Sequence, residues 1–279
     1  MKVVLFCGGF GMRLREFSES IPKPMVMIGN RPILWQVMKY YAHFGHKDFI
    51  LCLGWKANTI KEYFLTYDEC ASNDFVLSGG GDKISLLNSD IHDWKITFVD
   101  TGMRSNIGQR LKAIAHHLDG EEMFLANYTD GLSDVPLPDM IEAARQSGAV
   151  ASFVSVKPSH SFHAVSADAD DKVVTFSPID QNGIWMNGGF FVLRNEIFCY
   201  IEDGEELVEE PFSRLIEERR LTTYRYDGFW RCMDTYKEKQ SLEDMYIRGD
   251  IPWQVWRQPS QTGSGDREIV VPVVQRKIS

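Results

Sequence analysis

The chain has 279 residues, 44% hydrophobic and 25% charged, with a formal net charge of −9. That length supports one large core plus an appendage, and the acidic balance argues against bulk nucleic-acid binding, which depends on neutralising many phosphates. Five cysteines without a CxxC pair fit the reduced thiols of a cytoplasmic protein, and no segment reaches the ~18 apolar residues of a membrane helix.

In chain order, Lys2–Cys7 reads as a buried strand that breaks at Gly8-Gly9-Phe10-Gly11. Ile33, Leu34, Val37, Met38 and Tyr41 recur at helical spacing. Asp48–Leu53 reads as a strand, Lys56–Tyr67 as a helix and Lys95–Asp100 as a strand. Leu111, Ile114, Ala115 and Leu118 mark one helical face. Met123–Asn127 is a strand ending before Thr129-Asp130-Gly131. Leu137, Met140, Ile141 and Ala144 give another helix, and Ala149–Val156 another strand.

This alternation predicts an α/β fold, a Rossmann-like, mainly parallel sheet with helices on both faces. From about residue 160 shorter strands dominate, at Lys172–Phe176, Trp185–Leu193 and Leu221–Tyr226. Helices near Glu209–Glu218 and Thr235–Ile247 separate them, as in a smaller mixed region for substrate. Residues 1–257 read as the catalytic domain. Residues 258–279 read as a linker rich in Pro, Gly and Ser, then an apolar run from Ile269 to Val274 suited to a strand on a partner subunit or a sticky tail.

Gly8, Gly9 and Gly11 permit close backbone approach to a ligand, and their N–H groups can cradle phosphate oxygens. Arg13 offers a guanidinium fork, and Lys23, between Pro22 and Pro24, a point charge. A dinucleotide fingerprint fails because Leu14 stands where the third glycine belongs, and no Walker lysine follows. Alone, the loop fits a tight turn as well as a phosphate cradle. Asp130 follows a buried strand, where parallel sheets place ligands, and Asp234 follows a later aromatic segment. Each also fits an ordinary turn or helix-start acid.

The order Gly-Gly-x-Gly-x-Arg-Leu, then Pro22-Lys23-Pro24-Met25, resembles the sugar-1-phosphate nucleotidyltransferases. Pro32-Ile33-Leu34-Trp35, Asp100-Thr101-Gly102, Asn187-Gly188-Gly189-Phe190-Phe191 and Gly228-Phe229-Trp230 through Met233-Asp234-Thr235 look like the glucose-1-phosphate cytidylyltransferases, in register over residues 1–257. The resemblance implies transfer of a nucleotidyl group, from CTP before other triphosphates, to a sugar 1-phosphate. It implies Mg²⁺ on Asp130 and Asp234, catalytic roles for Arg13 and Lys23, triphosphate contact by Arg110, and sugar contact by Asn187. Gly188 and Tyr128 belong to the same wall, and a homo-oligomer is expected.

Two departures stand out. Thr129 replaces the first glycine of Gly-Asp-Gly. Phe176-Ser177-Pro178 replaces Glu-Lys-Pro, whose lysine meets the sugar phosphate; Lys157 and His163 are candidates for the missing cation. These departures predict a sugar other than plain glucose 1-phosphate, or else a non-catalytic nucleotide-sugar-binding paralogue.

Overall fold

The computed structural model describes residues 1–9, 21–158 and 163–257, and the backbone of 269–271. Seven strands form the central sheet: β1 (Val3–Phe6), β2 (Asp48–Leu53), β3 (Lys95–Asp100), β4 (Met123–Asn127), β5 (Ala151–Val156), β6 (Met186–Arg194) and β7 (Leu221–Tyr226). Their order is β7-β5-β6-β4-β1-β2-β3. β1 pairs in parallel with β2 and β4, β2 with β3, and β5 with β7. β6 runs antiparallel between β4 and β5. The later strands therefore extend the same sheet.

Apolar residues at every position of β1 and from Phe49 to Leu53 of β2 bury both faces, as a doubly covered sheet requires. Val3, Leu5, Phe49 and Leu51 enter one core, and Val4, Phe6, Ile50 and Cys52 the other. The first core lies under α1 (Ile33–His43) and α4 (Leu137–Ser147), with Leu242 of α6 (Tyr236–Arg248). The second lies under α3 (Ile107–Ala113) and α5 (Glu210–Glu217). Among the described residues the remaining α-helix, α2, spans Ala57–Leu65. Each fully buried Leu, Ile, Val or Phe in these layers contributes ~1.5–3 kcal/mol of transfer free energy.

The helical face expected through Leu118 is interrupted. α3 ends at Ala113, and Ala115–Leu118 is a 3₁₀ turn. Leu111, Ile114 and Leu118 remain buried, so the apolar period survives where the helix does not. The smaller mixed region is a separate hairpin, His163–Ala167 with Val173–Pro178. Ile269–Val271 pairs antiparallel with Ile84–Leu86 of the same chain, next to the strand Phe75–Ser78. The linker at 259–266 lies outside the described residues. Cys7, Cys52, Cys199 and Cys232 are free thiols. Among the described residues no helix is long and apolar enough to cross a membrane.

Candidate active site

The carboxyl ends of β1 and β4 meet at the centre of the sheet. Asn127, the last residue of β4, is buried and receives a hydrogen bond on Oδ1 from Thr129 N at 2.8 Å. Thr129 takes φ 66, a left-handed backbone that costs an L-residue ~1–2 kcal/mol. Its hydroxyl donates to Phe6 O at 3.0 Å, tying β4 to the end of β1. Asp130 follows directly on this pinned turn.

Asp234 is brought to it by a second pairing. Gly131–Ser133 runs antiparallel to Trp230–Cys232, and Met233 N donates to Asp130 O at 2.8 Å. Thr235 then caps α6 reciprocally with Glu238, whose carboxylate also accepts from Asp234 N at 2.8 Å. Helix start and strand pair thus fix Asp234 from both sides.

Lys23 lies in a 3₁₀ turn, Lys23–Met25, entered through Pro22. Its Nζ reaches Asp130 Oδ2 at 2.8 Å and forms a second ion pair with Asp234 Oδ1. Burial disfavours the lysine's charge, but the two carboxylates outweigh it and raise its pKa. Burial, reinforced by the like charge of Asp234, raises the pKa of Asp130 against the lowering effect of Lys23. Three residues distant in sequence therefore meet in one ion-paired centre. Among the described residues no cluster of three or more His, Cys, Asp or Glu side chains offers a metal site.

Gly8 and Gly9 continue β1 toward this centre; Gly11 and Arg13 lie outside the described residues. Arg110 meets the loop from the inside. The sequence reading puts it at the phosphates from a helix start, but its guanidinium is buried and spends its donors internally. Nη1 donates to Leu53 O at 3.0 Å and Thr101 Oγ1 at 2.7 Å, and Nη2 to Gly8 O at 2.7 Å. The start of α3 is already occupied by Glu206, which accepts from Ile107 N at 3.1 Å. A Cβ on Gly8 would lie 2.0 Å from Arg110 Nη1, so a side chain there would displace the guanidinium beneath it.

On the far side, Tyr128 packs over Gly189, which has φ 78 and no room for a side chain: a Cβ there would lie 2.8 Å from the ring. Asn187 Oδ1 accepts from Gly189 N at 2.9 Å, and Tyr128 N donates to Gly189 O at 3.3 Å. Trp230 Nε1 donates to Gly188 O at 2.8 Å, joining β6 to the loop that carries Asp234. Tyr128, Asn187 and Gly188 thus form one wall beside the carboxylates. Trp230, Glu238 and Thr129 complete the framework; the capping-box spacing Thr235-x-x-Glu238 is a signal that could have found Glu238, whereas Trp230 carries no local signal of its role. Ser177 and Phe176 lie on the mixed hairpin, where Phe176 stacks on His163 at 4.8 Å.

Two acids and a lysine thus meet at the carboxyl edge of an α/β sheet. The profile of the nucleotidyl transferase family matches residues 2–235, and the chain belongs to that family. It is 38% identical over 258 residues to the probable glucose-1-phosphate cytidylyltransferase of Bacillus subtilis, covering 92% of this chain and 100% of the relative. It is 36% identical, with the same coverage, to the glucose-1-phosphate cytidylyltransferase of Salmonella typhi. The fold matches a UDP-glucose pyrophosphorylase complexed with UDP-glucose at TM-score 0.66 and 14% identity, over 89% of this chain and 98% of that one. It also matches HddC from Yersinia pseudotuberculosis at TM-score 0.63 and 18% identity, over 88% and 99%.

Proposed function

We propose that the chain transfers a nucleotidyl group from a nucleoside triphosphate, CTP before the others, to a sugar 1-phosphate, with release of pyrophosphate. The observation that carries this reading is the convergence of Asp130, Asp234 and Lys23 at the sheet's carboxyl edge. Full-length relatives named cytidylyltransferases support it.

Mg²⁺ fits this centre. Asp130 and Asp234 arrive from separate segments and put carboxylate oxygens on one cation, the Lys23 ammonium. Two carboxylates are the donor set that Mg²⁺ takes when phosphate oxygen and water fill its remaining positions. Asp130 and Asp234 would hold the ion, which when bound supplies charge neutralisation at the α-phosphate.

A phosphate oxygen of the sugar attacks the α-phosphorus in line with the leaving pyrophosphate. It is already an anion, so the chain needs no strong general base. Catalysis rests on alignment and on electrostatics. The backbone at Gly8, Gly9 and Gly11 lets the triphosphate approach the sheet. Lys23 and Arg13 bind the phosphates and stabilise the charge growing on the leaving group. Asn187, Tyr128 and Gly188 receive the sugar. Arg110 positions Gly8 from beneath.

Glucose 1-phosphate is the first acceptor to test, since the relatives carry its name; the departure at Phe176-Ser177-Pro178 is the reason to include other sugars. Self-association is supported by the strand Phe75–Ser78, where Phe75, Val76 and Leu77 are 42%, 51% and 58% exposed. The test of the whole reading is pyrophosphate release with Mg²⁺ across a panel of triphosphates and sugar 1-phosphates. Release requiring CTP and one sugar supports it.

A further inference from the structure

The register of β5 with its two neighbours builds a second polar constellation at the same end of the sheet. Ser155 of β5 stands opposite Asn187 of β6 and Arg225 of β7. Directly paired residues share a face, as do positions two apart on one strand. Lys157, Trp185 and Asp227 lie two residues from Ser155, Asn187 and Arg225, one position outside the three strands, where the same alternation would put them on that face. The contacts agree. Lys157 Nζ lies 5.6 Å from the Trp185 ring centre and Arg225 Cζ 5.4 Å from it. Lys157 also pairs with Asp227 at 2.9 Å.

Two features of this row are unusual for a purely structural patch. Two cations converge on one aromatic ring against one carboxylate, leaving a net positive charge, and the ring's π-face holds them in place. Ser155 is 3% exposed, yet its Oγ has no hydrogen-bond partner among the described residues. A buried hydroxyl left unpaired is costly and calls for an explanation. The row is continuous with the site through Asn187, whose Oδ1 accepts from Gly189 N beneath the Tyr128 ring.

We propose that Ser155, Lys157, Trp185 and Arg225 form an oxyanion subsite for a phosphoryl or carboxylate group carried by the sugar substrate. The inference rests on the transferase reading and names the chemistry of its acceptor. Ser155 supplies a hydroxyl donor. Arg225 supplies a fork and Lys157 a point charge, both aligned by Trp185.

The test is titration calorimetry of the full chain with glucose 1-phosphate, glucose 1,6-bisphosphate and glucuronic acid 1-phosphate. Wild type is compared with Lys157→Gln and Arg225→Gln, both changes at exposed positions. We expect the dissociation constant of the best-bound probe to rise on the order of 10- to 100-fold in Arg225→Gln. The rise is smaller in Lys157→Gln, because Lys157 is shared with Asp227. Arg225→Lys recovers part of the loss, and CTP affinity stays within about two-fold. If the 1-phosphate is the anion held, all three probes weaken together. If it is a second acidic group, the bisphosphate and glucuronate weaken and glucose 1-phosphate does not. Unchanged affinity for every probe in both variants overturns the inference, as does parallel loss of CTP binding or a wild type that binds none of the three. Failure of the transferase reading is seen separately, as absence of pyrophosphate release by the wild type.

Discussion

Replacing Arg110 by methionine separates an internal support from a ligand contact. Methionine matches much of the stem but removes three donated hydrogen bonds, to Leu53 O, Thr101 Oγ1 and Gly8 O. The three acceptors are not equally affected. Leu53 O keeps two donors, Thr101 N at 3.0 Å and Thr101 Oγ1 at 2.8 Å. Gly8 O loses the guanidinium that holds it, and a buried acceptor stripped of its donor costs ~1–3 kcal/mol. Lost charge-assisted bonds at Leu53 and Thr101 add to this, while relief of guanidinium desolvation subtracts. The net expectation is a loss of ~2–4 kcal/mol. At roughly 2–3 °C per kcal/mol for a chain of this size, Tm falls by about 4–12 °C. The assay is thermal unfolding by circular dichroism beside steady-state kinetics for both substrates. The KM values should change less than the stability once activity is measured well below the new Tm. An unchanged Tm with a large rise in KM for the triphosphate alone would refute the argument and return Arg110 to the phosphates.

Other consequences follow from the same geometry. Asp234→Asn and Lys23→Ala should each lower kcat by on the order of 10²–10³ or more while keeping the wild-type circular dichroism spectrum; near-normal turnover in either removes that residue from the catalytic set. Thr129→Val keeps the strained backbone and the shape but loses the bond to Phe6 O, so its urea midpoint should show a loss of ~1–2 kcal/mol. Thr129→Gly relieves strain of similar size and should stay within ~1 kcal/mol of wild type; a valine variant as stable as wild type would contradict the proposed tie. Burial, aided by the nearby N-terminal ammonium, lowers the pKa of His46 from 6.5 to about 4. Between those values the unfolded chain binds the extra proton, so stability rises with pH from about 4 to 6.5 and is lost on acidification. His46→Asn should flatten that part of the urea-midpoint profile, and an unaltered profile would exclude His46 as its source.

Strands of the central sheet were the most legible parts of the sequence. Asp48–Leu53, Lys95–Asp100, Met123–Asn127 and Leu221–Tyr226 form with the bounds read from their apolar runs and alternation. The break after Ala113 was not legible, because Ile114 and Leu118 keep the apolar period across a 3₁₀ turn. Asp130, Asp234 and Lys23 could be marked from their motifs, and the structure brings them together. Arg110 could be placed near the glycine loop but not on its inner side, since motif spacing carries no information about which face a guanidinium takes. Thr129 could be seen as a departure, but its left-handed φ depends on the Phe6 carbonyl of another strand. The row through Ser155, Trp185 and Arg225 depends on strand register, which pairs residues 32 and 70 positions from Ser155; no local pattern encodes it.

The central claim is nucleotidyl transfer at the Asp130–Asp234–Lys23 centre. Its most direct test incubates the purified protein and Mg²⁺ with each nucleoside triphosphate against a panel of sugar 1-phosphates, recording pyrophosphate. The account predicts release that requires both substrates, is strongest with CTP, and is abolished by EDTA and by Asp234→Asn. Pyrophosphate release that persists without a sugar 1-phosphate, or that survives both EDTA and Asp234→Asn, would contradict it.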